Sequence, residues 1–196
     1  MILDSTHIRV LCAFFPQAEP LTAPQIEKQS GYSHETVYSA LQELRKENVL
    51  AGKHVGKAIL YSLRDYGAAY IAFAHAALER KEKFISRYPQ LKNILNEFYN
   101  KTRPTALIVF GSYSRFSPVK TSDLDLLCVE PKNDTERAAS EIGMRYGVKL
   151  APVSISSEDF PNIRQDNPEL WKSLRNESII WKGHEFFYDN IYEAMR

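Results

Sequence analysis

Residues 106–130, ALIVFGSYSRFSPVKTSDLDLLCVE, decide how this chain is read. The run TALIVF is β-branched, aliphatic and aromatic, which suits a short buried strand, and Gly111 breaks it at once. Leu124, Leu126, Leu127, Cys128 and Val129 announce a second buried strand, yet Asp123 and Asp125 are set into its start. Side chains two apart on a strand point to the same face, so the two carboxylates converge while Leu124 and Leu126 face the core. Two neighbouring anions at the edge of an apolar core repel each other and are costly without a cation.

The cation this pattern suits is Mg2+, which takes hard oxygen ligands, typically one or two carboxylates plus phosphate oxygens of a substrate. A metal held that way clamps a triphosphate and stabilises the charge of an in-line displacement at phosphorus. Gly111-Ser112, placed after a strand and before a polar segment, fits the same chemistry. Glycine lets the backbone turn sharply and approach a ligand closely, free N–H groups at such a turn favour phosphate oxygens, and Ser112 adds a hydroxyl donor.

Phe110-Gly111-Ser112, ten residues, and then Asp123-Leu124-Asp125-Leu126 resembles the signature of the nucleotidyltransferase superfamily related to DNA polymerase β, in particular its minimal nucleotidyltransferases. The resemblance covers about residues 102–185. It implies a small mixed sheet flanked by helices, with ATP or another nucleoside triphosphate held over one or two Mg2+ (or Mn2+) ions. On that match Gly111 and Ser112 hold the triphosphate, Asp123 and Asp125 are the catalytic metal ligands, and Arg115 approaches the phosphates, with Lys120 a weaker candidate.

Catalytic members of that family usually carry a third carboxylate on a later strand. Here the next strand is predicted in GVKLAPVSIS, after a helix over about 134–146, and neither of its alternating faces carries an acid. Glu158 and Asp159 follow, at what reads as a helix start, where acids are ordinary neighbours of the helix dipole. The tail reads as a helix from Pro168, a short strand at 178–181 and a turn at Gly183, with Trp171, Trp181 and Phe186 in the core and no visible partner for His184.

The first third has a different pattern. Ile8, Val10, Leu11, Cys12, Phe14 and Phe15 suit a short buried helix over about 6–16, interrupted by Pro16 and Pro20. A second helix starts near Ala23, tolerates Pro24 in its first turn and stops near Gly31. Ser33 reads as the N-cap of a third, with Val37, Ala40, Leu41 and Leu44 on its apolar face. AGKHVGKAILYSLR then reads as a β-hairpin wing carrying Lys53, Lys57 and Arg64 with no acid. This order resembles the winged helix-turn-helix domains of small prokaryotic regulators over roughly residues 5–65. The resemblance implies DNA contacts from His34, Tyr38 and Gln42 on the third helix and from Lys53 and Lys57 on the wing. Against it, residues 1–65 hold seven Lys/Arg and seven Asp/Glu, and duplex affinity comes largely from neutralising phosphate. A protein-interaction or dimerisation module is the other reading of the same order.

Between the two lies a helical stretch over 66–99, with Tyr70, Ile71, Phe73, Ala74, Ala77 and Leu78 as an apolar stripe, His75 packed, and the run ERKEK as a solvated face; Pro89 interrupts it. These helices link domains or pair with a second copy of the chain in a homodimer. The formal charge of +1 over 196 residues leaves no global polyanion-binding bias. Cys12 and Cys128 are far apart and read as reduced core residues. No secretory leader or membrane span is legible, which points to a cytoplasmic protein.

The chain is therefore expected to be α+β, with a winged helix domain over 1–65, a helical connector over 66–101 and a polymerase β-like nucleotidyltransferase domain over 102–196. Two functions follow. One is an Mg2+-dependent enzyme moving a nucleoside monophosphate, most plausibly AMP from ATP, onto a hydroxyl of an unknown acceptor, with DNA or partner targeting by the winged helix; the family resemblance permits a toxin partner as acceptor. The other is a winged-helix transcriptional regulator whose weakened nucleotidyltransferase domain senses a nucleotide.

Overall fold

The computed structural model describes residues 3–64 and 66–193. They fall into two compact units, Met1–Leu78 and Glu79–Arg196.

In the first unit, α1 (Ser5–Cys12) is capped by Asp4, whose carboxylate accepts the His7 N–H at 2.9 Å. Strand β1 (Leu21–Thr22) leads directly into α2 (Ala23–Ser30), where the Gln25 side chain accepts the Thr22 N–H at 2.8 Å and Gly31 closes the helix at φ +76°. Helix α3 (His34–Lys46) starts at Ser33 and buries Val37, Ala40, Leu41 and Leu44, as its spacing predicts. Strands β2 (Leu50–Val55) and β3 (Ala58–Leu63) form the hairpin, and β1 adds to it in the antiparallel order β1-β3-β2. Three helices followed by a hairpin is the winged-helix order. Two readings change: α1 ends at Cys12 rather than near Pro16, and the two-residue strand β1, too short to show a period, was not foreseen.

Helix α4 (Tyr66–Arg87) crosses from one unit into the next. In its first part Ala69, Ala72, Phe73 and Ala77 are the buried positions. Ile71 and Leu78, placed in the apolar stripe from sequence, are half exposed, and His75 is exposed rather than packed. Residues 69, 72, 73 and 77 follow the three-and-four spacing of one helix face, and 71, 75 and 78 fall on the other.

The second unit is built on a four-stranded sheet, order β6-β5-β4-β7. Helix α5 (Pro89–Thr102) precedes β4 (Ala106–Val109), and the single turn α6 (Gly111–Ser114) leaves it. Strand β5 (Leu124–Val129) returns antiparallel to β4; α7 (Thr135–Tyr146), capped by Asp134, crosses over to β6 (Leu150–Ile155), which is parallel to β5. A 3-10 turn (Phe160–Asn162), α8 (Ile163–Asp166) and α9 (Pro168–Glu177) lead to β7 (Ile179–Lys182), antiparallel to β4. The last helix, α10 (His184–Glu193), lies against β4, β7 and the 3-10 turn and was not foreseen from the sequence. Leu91, Ile94, Leu95 and Phe98 of α5 and Ala138, Ala139 and Ile142 of α7 share one core with Leu107, Val109, Leu124, Leu126 and Cys128. Burial pushes the Cys128 thiol up to about 12, so it is an apolar filler. Trp171 and Trp181 are core residues, as expected.

The charged run 79–83 is solvated only in part: Glu82 and Lys83 are exposed, while Arg80 and Lys81 are half-buried. Arg80 donates to the Ser114 carbonyl at 3.0 Å and the Glu177 carbonyl at 2.8 Å. Lys81 donates to the Trp181 carbonyl at 2.8 Å and lies 4.2 Å from that indole ring's centre. Both stems lie on the helix face that buries Phe84, and their polar heads find backbone oxygens. Among the described residues no helix is long and apolar enough to cross a membrane.

Candidate active site

The antiparallel pairing of β4 and β5 explains why a Gly-Ser turn and two aspartates separated by ten residues belong together. Val109, last in β4, stands opposite Leu126, and the Phe110 N–H donates to the Asp125 carbonyl at 3.1 Å. The turn after β4 and the start of β5 thus share one end of the sheet. Every residue of β5 is buried except Asp125, so the strand opens to solvent on one face at this end alone. Leu124 and Leu126, on the other face, are fully buried.

Gly111 is held at φ +72°, a left-handed conformation that glycine adopts without penalty. A β-carbon built there would collide with the Asp125 carboxylate, so glycine is required both by the backbone and by the side chain packed beside it. The turn is braced from within: the Ser114 hydroxyl donates to the Gly111 carbonyl at 3.0 Å, and the Ser117 N–H to the Ser112 carbonyl at 3.0 Å. From outside, the Arg80 bond to Ser114 holds its far end.

Electrostatics single out Asp125. Burial raises its pKa first, the neighbouring Asp123 charge raises it further, and Arg115 offsets part of the rise. Arg115 follows the turn, with Nη1 3.6 Å from Glu177 Oε2. Lys120 is on an exposed turn, where the Ser122 hydroxyl accepts the Val119 N–H at 2.9 Å.

Strand β6 runs beside β5 with Asp125 opposite Ala151, and Lys149, one residue before the strand, comes level with Asp123. Its ammonium lies 2.5 Å from Asp123 Oδ2, and that contact raises the lysine's pKa. This neighbour of Lys149 is not legible in the sequence, because a parallel register cannot be read from one strand. Glu158 and Asp159 lie past the far end of β6, about 17 Å of strand away from the carboxylate pair. There Asp159 is engaged by the Ser156 hydroxyl at 2.6 Å.

Among the described residues no group of three or more His, Cys, Asp or Glu is placed to hold a metal. The pair Asp123 and Asp125 still fits a hard divalent cation. Both groups are carboxylates at the start of β5, Asp125 is burdened by its neighbour's charge, and the absent β-carbon of Gly111 leaves its carboxylate accessible.

In the first unit the residues expected to meet DNA are placed as follows. His34 and Tyr38 are exposed on α3 with their rings stacked, centroids 6.1 Å apart, and His34 Nδ1 is 2.7 Å from Glu27 Oε1. Gln42 is half-buried, while Lys53 and Lys57 are exposed on the hairpin.

A mixed sheet with a Gly-Ser turn and two aspartates at one end, Asp123 just before β5 and Asp125 within it, is the arrangement that the resemblance to nucleotidyltransferases implies. The chain belongs to the family of the nucleotidyltransferase domain, whose model it matches over residues 89–175. It is 30% identical over 121 residues to "Putative protein adenylyltransferase MJ1305" of Methanocaldococcus jannaschii, an alignment that covers 54% of this chain and 81% of that protein. It is also similar, at 23% identity and a TM-score of 0.33, to a solved structure concerned with the regulation of DNA binding of Bordetella bronchiseptica BpsR by 6-hydroxynicotinic acid. That likeness covers 37% of this chain and 56% of the solved one.

Proposed function

We propose that this chain is an Mg2+-dependent nucleotidyltransferase that moves AMP from ATP to a hydroxyl group of an acceptor. The observation that carries the reading is the meeting of Gly111-Ser112 with Asp123 and Asp125 at one end of the sheet, with no β-carbon between the turn and the Asp125 carboxylate. A bound Mg2+ would neutralise triphosphate charge there. Gly111 and Ser112 hold phosphate oxygens, Asp123 and Asp125 hold the metal, and Arg115 adds positive charge beside them. The acceptor oxygen forms a bond to the α-phosphorus, the bond to the bridging oxygen breaks and pyrophosphate leaves. With Lys149, Ala151 and Val153 flanking this face of β5, the hydroxyl proton passes to water rather than to a third acid. The relative named as a protein adenylyltransferase supports AMP as the transferred group and a protein as the acceptor. The test is incubation with ATP labelled at the α-phosphate in a cell extract. Label retained on a macromolecule, and lost with Asp123→Asn, supports transfer; no label with either protein counts against it.

A second reading is favoured by the lysine on Asp123 and the absence of an acid from residues 148–155. In it the domain binds the nucleotide without turnover and the first unit reads DNA through His34, Tyr38, Gln42, Lys53 and Lys57. Binding of a mixed-sequence duplex that weakens steeply with salt and is reduced by Lys53→Glu together with Lys57→Glu supports this reading. ATP recovered intact after binding separates it from the first.

A further inference from the structure

The carboxylate pair already has a cation within reach, supplied by the chain. Leu124 stands opposite Leu150, and the Leu124 N–H donates to the Lys149 carbonyl at 2.8 Å, which fixes the lysine's backbone level with Asp123. The ammonium meets Asp123 Oδ2 at 2.5 Å. The Lys149 side chain is 75% exposed against 32% for Asp123, so the charge comes in from solvent on a flexible stem and is not locked in place.

We propose that Lys149 is an internal competitor for the metal: it occupies Asp123 until a divalent ion displaces it into solvent, and so it sets how much free metal the site requires. The proposal rests on the metal-binding reading of Asp123 and Asp125. A lysine ammonium and a divalent ion cannot share one carboxylate oxygen at bonding distance without strong repulsion, so binding of one excludes the other. Exposed ion pairs are weak, which makes the displacement reversible. Arg115, on the turn side, is paired with Glu177 and does not contact Asp123 in this way.

The experiment is titration of the full chain with Mn2+ alone, followed by the paramagnetic resonance of the free ion, for the wild type, Asp125→Asn, Lys149→Met and Lys149→Gln. Lys149→Met keeps the apolar stem, and Lys149→Gln guards against a packing artefact. The proposal expects both lysine variants to bind Mn2+ about two- to fivefold more tightly than the wild type. Equal or weaker binding by both overturns it while leaving the metal site intact, provided the wild type binds and Asp125→Asn does not. If neither the wild type nor Asp125→Asn binds, the metal reading itself fails, and this inference with it.

Discussion

Gly111 presents a bare Cα to the carboxylate of Asp125 in a backbone conformation that side chains rarely adopt. One contact thus ties the turn after β4 to the anionic start of β5, and it is sensitive to a single methyl group. Gly111→Ala is expected to destabilise the second unit by about 1–3 kcal/mol, through the left-handed backbone and the displaced carboxylate together. It should also weaken Mg2+-dependent ATP binding about tenfold or more. Urea unfolding and calorimetry measure the two losses separately.

Asp125 illustrates a site that costs stability. Its carboxyl is raised by burial and by Asp123, so the folded state favours the protonated form. The sign follows: the contribution is favourable below the ordinary aspartate range and is lost as pH rises through the raised value. At neutral pH, without metal, Asp125→Asn should therefore raise the melting temperature by about 1–3 °C while abolishing metal binding. In the wild type, metal affinity should fall as pH drops through the Asp125 titration, because the proton and the metal compete for one oxygen. An unchanged or lower melting temperature for the variant would count against the repulsion.

Arg80 is invisible as a site residue in the sequence, where it lies in the middle of a charge run. The structure gives its guanidinium two backbone carbonyls, Ser114 at the end of the Gly-Ser turn and Glu177 at the end of α9. Arg80→Met should leave both oxygens unpaired and cost about 1–3 kcal/mol. If the arginine positions the turn, ATP affinity also drops in protein that is still folded, and Arg80→Lys restores part of it. A stability loss with unchanged ATP affinity would make its role purely structural.

His184 supplies the pH dependence of the fold at the acid side. Burial, and then the charges of Lys81 and Lys182, lower its pKa from 6.5 to about 4, and its Nε2 has no hydrogen-bond partner among the described residues. A histidine lowered in the folded state contributes stability above its unfolded value and loses it as pH falls towards the folded one. Stability should decline between pH 6.5 and about 4, by about 1–2 kcal/mol once solvent screening of the partly exposed ring is discounted. His184→Met should flatten that part of the curve, measured by denaturant titration at each pH.

Much of this is legible in the sequence. Strands β4 and β5 announce themselves because they are continuous apolar runs with a glycine between them, and α3 carries its cap in the sequence at Ser33. The convergence of Asp123 and Asp125 follows from the strand period alone. Features that depend on two distant segments were not legible: Lys149 beside Asp123 needs the parallel register of β6, and Arg80 beneath the turn needs the path of α4. The helix face of α4 was misjudged because alanines carry its buried positions, and their small apolar side chains do not stand out against Ile71 and Leu78. Short elements such as β1, with two residues, have no period to read.

We propose Gly111, Ser112, Asp123 and Asp125 as a metal–nucleotide site. Its most direct test is calorimetric titration of ATP into the full chain with and without Mg2+, repeated with Asp125→Asn. Binding should require Mg2+ and disappear in the variant. Absence of ATP binding by the wild-type protein, or binding indifferent to Mg2+ and to Asp125, would contradict it.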